Sequence, residues 1–86
     1  MEKFLEEIVR RLVDHPDRVC VTVDDGETST VLRLSVARED MGRVIGRDGK
    51  VARALRTVVK AAFRNNPKPV YVDIEEQAED AGQTEE

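Results

Sequence analysis

Gly42-Arg43-Val44-Ile45-Gly46-Arg47-Asp48-Gly49-Lys50 places three glycines and three cations ahead of a long amphipathic segment. Glycine lacks a Cβ, so Gly46 and Gly49 can turn the chain between two helical pieces and let a second backbone come close. Arg47 and Lys50 would then add positive charge beside the first turn of the following helix, whose unpaired N–H groups already favour anions. The stretch reads as a clamp for a phosphate backbone. A helix-turn-helix linker with glycines for steric reasons alone has the same spacing, so the flanks must decide.

Downstream, a helix from about Lys50 to Arg64 sets Val51, Leu55, Val58, Val59, Ala62 and Phe63 on one side and Lys50, Arg53, Thr57, Lys60 and Arg64 on the other. Asn65-Asn66-Pro67 stops it, and Pro69 to Glu75 alternates as a strand. Upstream, Arg38-Glu39-Asp40 opens a short helix through Ile45, with Asp40 as a candidate N-cap. Earlier still, Phe4, Leu5, Ile8, Val9, Leu12 and Val13 make the apolar stripe of a first helix that ends near Asp14-His15-Pro16. Val19, Val21 and Val23, then Leu32, Leu34 and Val36, have the period of two strands joined through Asp24-Asp25-Gly26-Glu27 as an antiparallel hairpin. One apolar face per strand requires helices on one side only. The expected class is α+β, in the order α-β-β-α-α-β, with one domain over residues 1–75 and an acidic disordered tail over 76–86.

Eighty-six residues allow one small core and no deep enzyme pocket. Cys20, the sole cysteine, excludes an internal disulfide and is expected to be a buried or half-buried strand residue. His15 beside Pro16 is expected to be solvated or capping rather than catalytic. A P-loop is excluded, because Val44 stands where its first glycine should be and Val51 where its hydroxyl should be. No catalytic residues, metal site, cofactor or membrane span are expected, and the absence of a signal-peptide pattern implies a cytoplasmic protein.

The net charge of −4 disfavours a nucleic-acid partner until its distribution is read. Eight basic and three acidic residues lie between Arg38 and Arg64, whereas seven acids and no base lie between Asp73 and Glu86. A basic middle beside an acidic end is a pattern of nucleic-acid contact, with the tail as a competitor for the same cations.

The local signature from Asp40 to Lys50, followed by Leu55-Arg56-Thr57 and set in this element order, resembles the type II KH domain. Within that family it is most similar, from about residue 2 to 75, to the small bacterial single-KH RNA-binding proteins of the KhpA type. The resemblance implies that Gly46-Arg47-Asp48-Gly49 clamps the backbone of single-stranded RNA, with about four nucleotides in an adjoining groove. Gly42, Arg43, Ile45, Lys50 and Arg53 would join that site. Val44, Ile45 and Val51 would form its apolar wall or the core behind it. Asp48 suits phosphate poorly, although it could cap the next helix through Lys50 or Val51, and modest affinity is expected. With Phe4, Phe63 and Tyr71 as the only aromatics, little base stacking is expected.

The resemblance also implies post-transcriptional regulation or RNA chaperoning, bearing on cell shape, by a homodimer or with a larger KH-containing RNA-binding partner. The dimer surface is expected on the long helix at Ala54, Thr57, Val58 and Ala61. From Ala61 through Val58 and Leu55 to Phe63 its apolar or small residues cover about 200° of the helical wheel, more than the ~100° that one sheet requires. Two alternatives use the same elements: a helix-turn-helix DNA binder, which lacks base-reading Asn or Gln on its second helix, and a protein-interaction module that does not bind RNA.

Overall fold

The computed structural model describes residues 1–77; the expected acidic tail lies, from residue 78 onward, outside the described residues. Among the described residues, three α-helices cover one face of a three-stranded sheet. The first helix, α1 (Glu2–Arg10), buries Leu5 and Val9, one turn apart, so a single stripe faces the sheet. It ends before the expected Asp14. The N–H groups of Arg11 and Leu12 reach the carbonyls of Ile8 and Val9, the tighter spacing that often closes a helix. Leu12 is left 40% exposed.

Strands β1 (Cys20–Asp25) and β2 (Thr30–Val36) pair antiparallel, from Cys20 opposite Ser35 to Asp25 opposite Thr30. The last strand, β3 (Val70–Glu76), pairs parallel with β2, from Thr30 opposite Val70 to Val36 opposite Glu76. The central strand β2 carries Leu32, Leu34 and Val36 into the core with no exposure. Truncating either leucine to alanine should cost about 2–5 kcal/mol. Because β2 and β3 run parallel, their connection must cross the sheet, and it contains the short helix α2 (Met41–Ile45) and the long helix α3 (Lys50–Ala62). The glycine-rich stretch joins those two helices.

Four further expectations are corrected. Cys20 is exposed, because the alternation along edge strand β1 puts it on the open face, away from the helices. Asp40 does not cap α2 with its side chain. Its carboxylate, 1% exposed, instead accepts hydrogen bonds from the backbone N–H groups of Asp14 at 3.1 Å and His15 at 3.0 Å. The chain leaving α1 is thereby tied to the start of α2, and His15 contributes its backbone rather than its ring. Asp48 makes no capping bond to α3, whose N-cap position is Gly49. Glu76 is the last residue of β3, not a tail residue. Gln77 continues the ordered path: its N–H donates to the Val36 carbonyl at 2.8 Å, and its side-chain oxygen accepts from Arg18 Nε at 2.7 Å.

Candidate nucleic-acid interface

The turn between α2 and α3 is built from backbone conformations that side chains resist. Gly46 has φ 78° and ψ 171°, a region open essentially to glycine alone. A Cβ there would lie 2.5 Å from Val51 Cγ2 and 2.8 Å from the Val51 backbone nitrogen. Both conformation and close approach therefore require glycine. Gly49 at φ 74° and Asp48 at φ 57° are in the left-handed helical region, and aspartate is among the few side chains that tolerate it. The Gly46 N–H bonds to the Gly42 carbonyl at 2.8 Å and the Gly49 N–H to the Gly46 carbonyl at 3.2 Å, which fixes the turn from within.

Around this turn the expected site residues divide into two groups. Arg47, Lys50 and Arg53 are exposed, and none has an ion-pair partner among the described residues. Arg43 is exposed but occupied: its guanidinium meets Asp14 at 2.9 Å and the buried Asp40 at 3.8 Å. A phosphate reaching Arg43 would have to displace Asp14. Val44 is fully buried core, whereas Ile45 and Val51 are half-buried behind the turn. A Cβ added to Gly42 would touch nothing within 4 Å, so the packing of this chain does not require glycine there.

Helix α3 presents three flanks. Ala52, Leu55 and Val59 are buried against the sheet. Arg53, Arg56 and Lys60 lie on the β3 side, where Arg56 Nε donates to the Val72 carbonyl at 3.3 Å and Lys60 sits over the Tyr71 ring. Ala54, Thr57, Val58 and Ala61 are exposed on the third flank, with Val58 at 43%. There Lys50, Val51, Ala54, Leu55 and Val58 face Ile8 and Leu12 across a largely apolar groove of about 350 Å³.

Sequence reasoning missed two features. The role of Asp40 depends on partners 25 and 26 residues away, for which local pattern carries no signal. Tyr71 was set aside with the other aromatics, although its outward position in an alternating strand was legible. The Asp25 carboxyl is held below its ordinary range first by the hydrogen bond from the Lys68 ammonium, then by the Thr30 hydroxyl and by the charge of Lys68. Among the described residues no helix is long and apolar enough to cross a membrane.

Comparison with known proteins places this geometry. Two solved structures of Era share the fold. One, from Aquifex aeolicus with GDP and AlF4−, has a TM-score of 0.54 and 17% identity over 87% of this chain and 29% of that one. The other, in complex with MgGDPNP and part of 16S ribosomal RNA, has a TM-score of 0.53 and 18% identity over the same shares. Curated relatives are much nearer in sequence. "RNA-binding protein KhpA" of Listeria monocytogenes is 46% identical over 86% of this chain and 97% of the relative. Its namesake in Clostridium acetobutylicum is 51% identical over 86% of this chain and 99% of the relative. The model of the family described as "KhpA/KhpB, KH domain" matches residues 2–74, which takes in α1, α2, α3, the glycine turn and nearly all of the described sheet. The chain belongs to the KhpA/KhpB KH-domain family.

Proposed function

We propose that this chain binds single-stranded RNA, holding the sugar-phosphate backbone against the Gly46–Gly49 turn. The observation that carries the reading is the pairing of a glycine-built turn with exposed, unpaired cations on either side of it, Arg47 and Lys50. Backbone N–H groups and cations recognise phosphate without reading bases, so sequence preference should be weak. The names of the relatives support RNA as the ligand. Gly42, which the packing leaves unexplained, fits a role in keeping space beside the turn for the ligand. Ile45 would supply the apolar wall and Arg53 a peripheral contact, and Arg43 would take part only after release from Asp14. Asp48, inside the turn, keeps the affinity modest.

Assembly belongs to the same proposal. The exposed small residues Ala54, Thr57, Val58 and Ala61, continuous with the apolar groove, suit close approach of a second α3 helix, either from another copy or from a larger KH-containing RNA-binding partner. Such a regulator or RNA chaperone would act in the bacterial cytoplasm. The deciding experiment is filter binding of single-stranded RNA and duplex DNA to the parent and to Arg47→Asp/Lys50→Asp. RNA retained by the parent and lost by a folded double variant is the expected result. Equal retention by the two proteins would remove the clamp.

A further inference from the structure

Tyr71 is the chain's sole tyrosine, and it stands 47% exposed on a strand whose neighbouring residues Val70 and Val72 are buried. The Nζ of Lys60 lies 5.7 Å from its ring centroid, so the end of α3 and the start of β3 meet through a cation on an aromatic face. With Phe63, Arg64, Pro69 and Val70 the pair lines a recess of about 150 Å³. Its lining holds two cations and no carboxylate. Neither cation has an ion-pair partner among the described residues. An apolar floor, an exposed ring and unpaired positive charge together suit a ligand with a flat aromatic face and a negative edge. A nucleotide has that chemistry.

The recess is also connected to the turn by charge. At about 100° per residue, Lys50, Arg53, Arg56 and Lys60 fall within an arc of about 120° of α3, and Arg64 follows just beyond the helix end. The helix rise puts Lys60 about 15 Å from Lys50. We propose that this recess is a second nucleotide site, which stacks one base of the RNA strand on Tyr71 in the place that the Lys60 ammonium holds without ligand, and receives the adjoining phosphate on the displaced Lys60 and on Arg64. The inference rests on the RNA-binding reading above and extends it to a part of the strand that the turn does not reach. An acidic peptide would satisfy the cations but has no use for the exposed ring.

The chain has no tryptophan, so its intrinsic fluorescence reports on Tyr71 alone. The test titrates oligouridylates of about four nucleotides, the length a KH groove holds, and of about eight. The long oligonucleotide should quench Tyr71 and the short one should not. Tyr71→Ala should weaken the long oligonucleotide about tenfold, the scale of one lost stacking contact, and leave the short one within about twofold. Tyr71→Phe should retain the affinity, and Lys60→Glu/Arg64→Glu should reproduce the loss. Unchanged long-oligonucleotide affinity in Tyr71→Ala would overturn the second site while leaving the turn intact as the clamp. A parent that binds neither length overturns both readings. Quenching by polyglutamate as strong as by RNA would make the recess a peptide site and overturn the assignment.

Discussion

The two exposed flanks of α3 differ in what they offer a partner. On the β3 side lie cations on long, flexible stems, with Arg56 and Lys60 leaning onto β3. On the opposite side lie methyl groups and a hydroxyl on short stems, beside an apolar groove. Charge recognises a polyanion over a range set by screening and tolerates many sequences. Small apolar side chains act only in contact and demand a matching shape. On the proposed function one helix would hold RNA on one flank and a protein partner on the other, and either activity should be lost with the other retained.

The largest expected effect breaks the charged side alone. Arg47→Asp/Arg53→Asp, at two exposed positions that do not line the apolar groove, should reduce RNA affinity about tenfold or more while the assembled mass in light scattering stays that of the parent. With about three phosphates engaged, the parent's log–log salt slope should be near −2, and assembly should be nearly insensitive to the same salt. Next comes Val58→Asp, which should turn a dimer into a folded monomer at roughly tens of micromolar protein, because a two-fold contact would bury the carboxylate against its own copy. Val58 is already 43% exposed, so the circular dichroism spectrum should not change. A parent that is monomeric would remove the distinction between the flanks.

A smaller effect sharpens the comparison. Gly42→Ala should stabilise the fold by about 0.5–1 kcal/mol, as a helical glycine with free space around it. Weaker RNA binding by this more stable protein would show that the glycine serves the ligand, and unchanged binding would assign it no such role. The smallest effect is a control touching neither flank. Asp25 is shifted down when folded, so its contact with Lys68 stabilises above the ordinary carboxylate range and is lost as pH falls through the lowered value. Lys68→Met should flatten the acid limb of a denaturation series slightly, without changing assembly or RNA binding at neutral pH.

The sequence displayed what local spacing can carry. The alternation of Leu32, Leu34 and Val36, the stripe of Leu5 and Val9, and the glycines at 46 and 49 each follow from a period or a steric rule. What it concealed involves partners far apart in the chain. Asp40 looked like a cap because cap residues are recognised by position, yet its carboxylate meets the exit of α1. Arg43 counted as a phosphate ligand because no rule of spacing joins it to Asp14, 29 residues earlier. Cys20 was placed inward from its valine neighbours, although alternation alone put it on the opposite face. The recess at Tyr71 emerges only once the end of α3 is seen against the start of β3.

The parallel pairing of β2 with β3 has a kinetic consequence. Everything from Ala37 to Pro69, including the strained turn, lies between two strands that must meet side by side. The sheet gains its third strand only after that connection has closed, so the entropy of ordering the turn is charged to the folding barrier before β3 contributes contacts. Substitutions that relax the turn should therefore register first as altered refolding rates, and a ligand that holds the turn should speed the docking of the last strand.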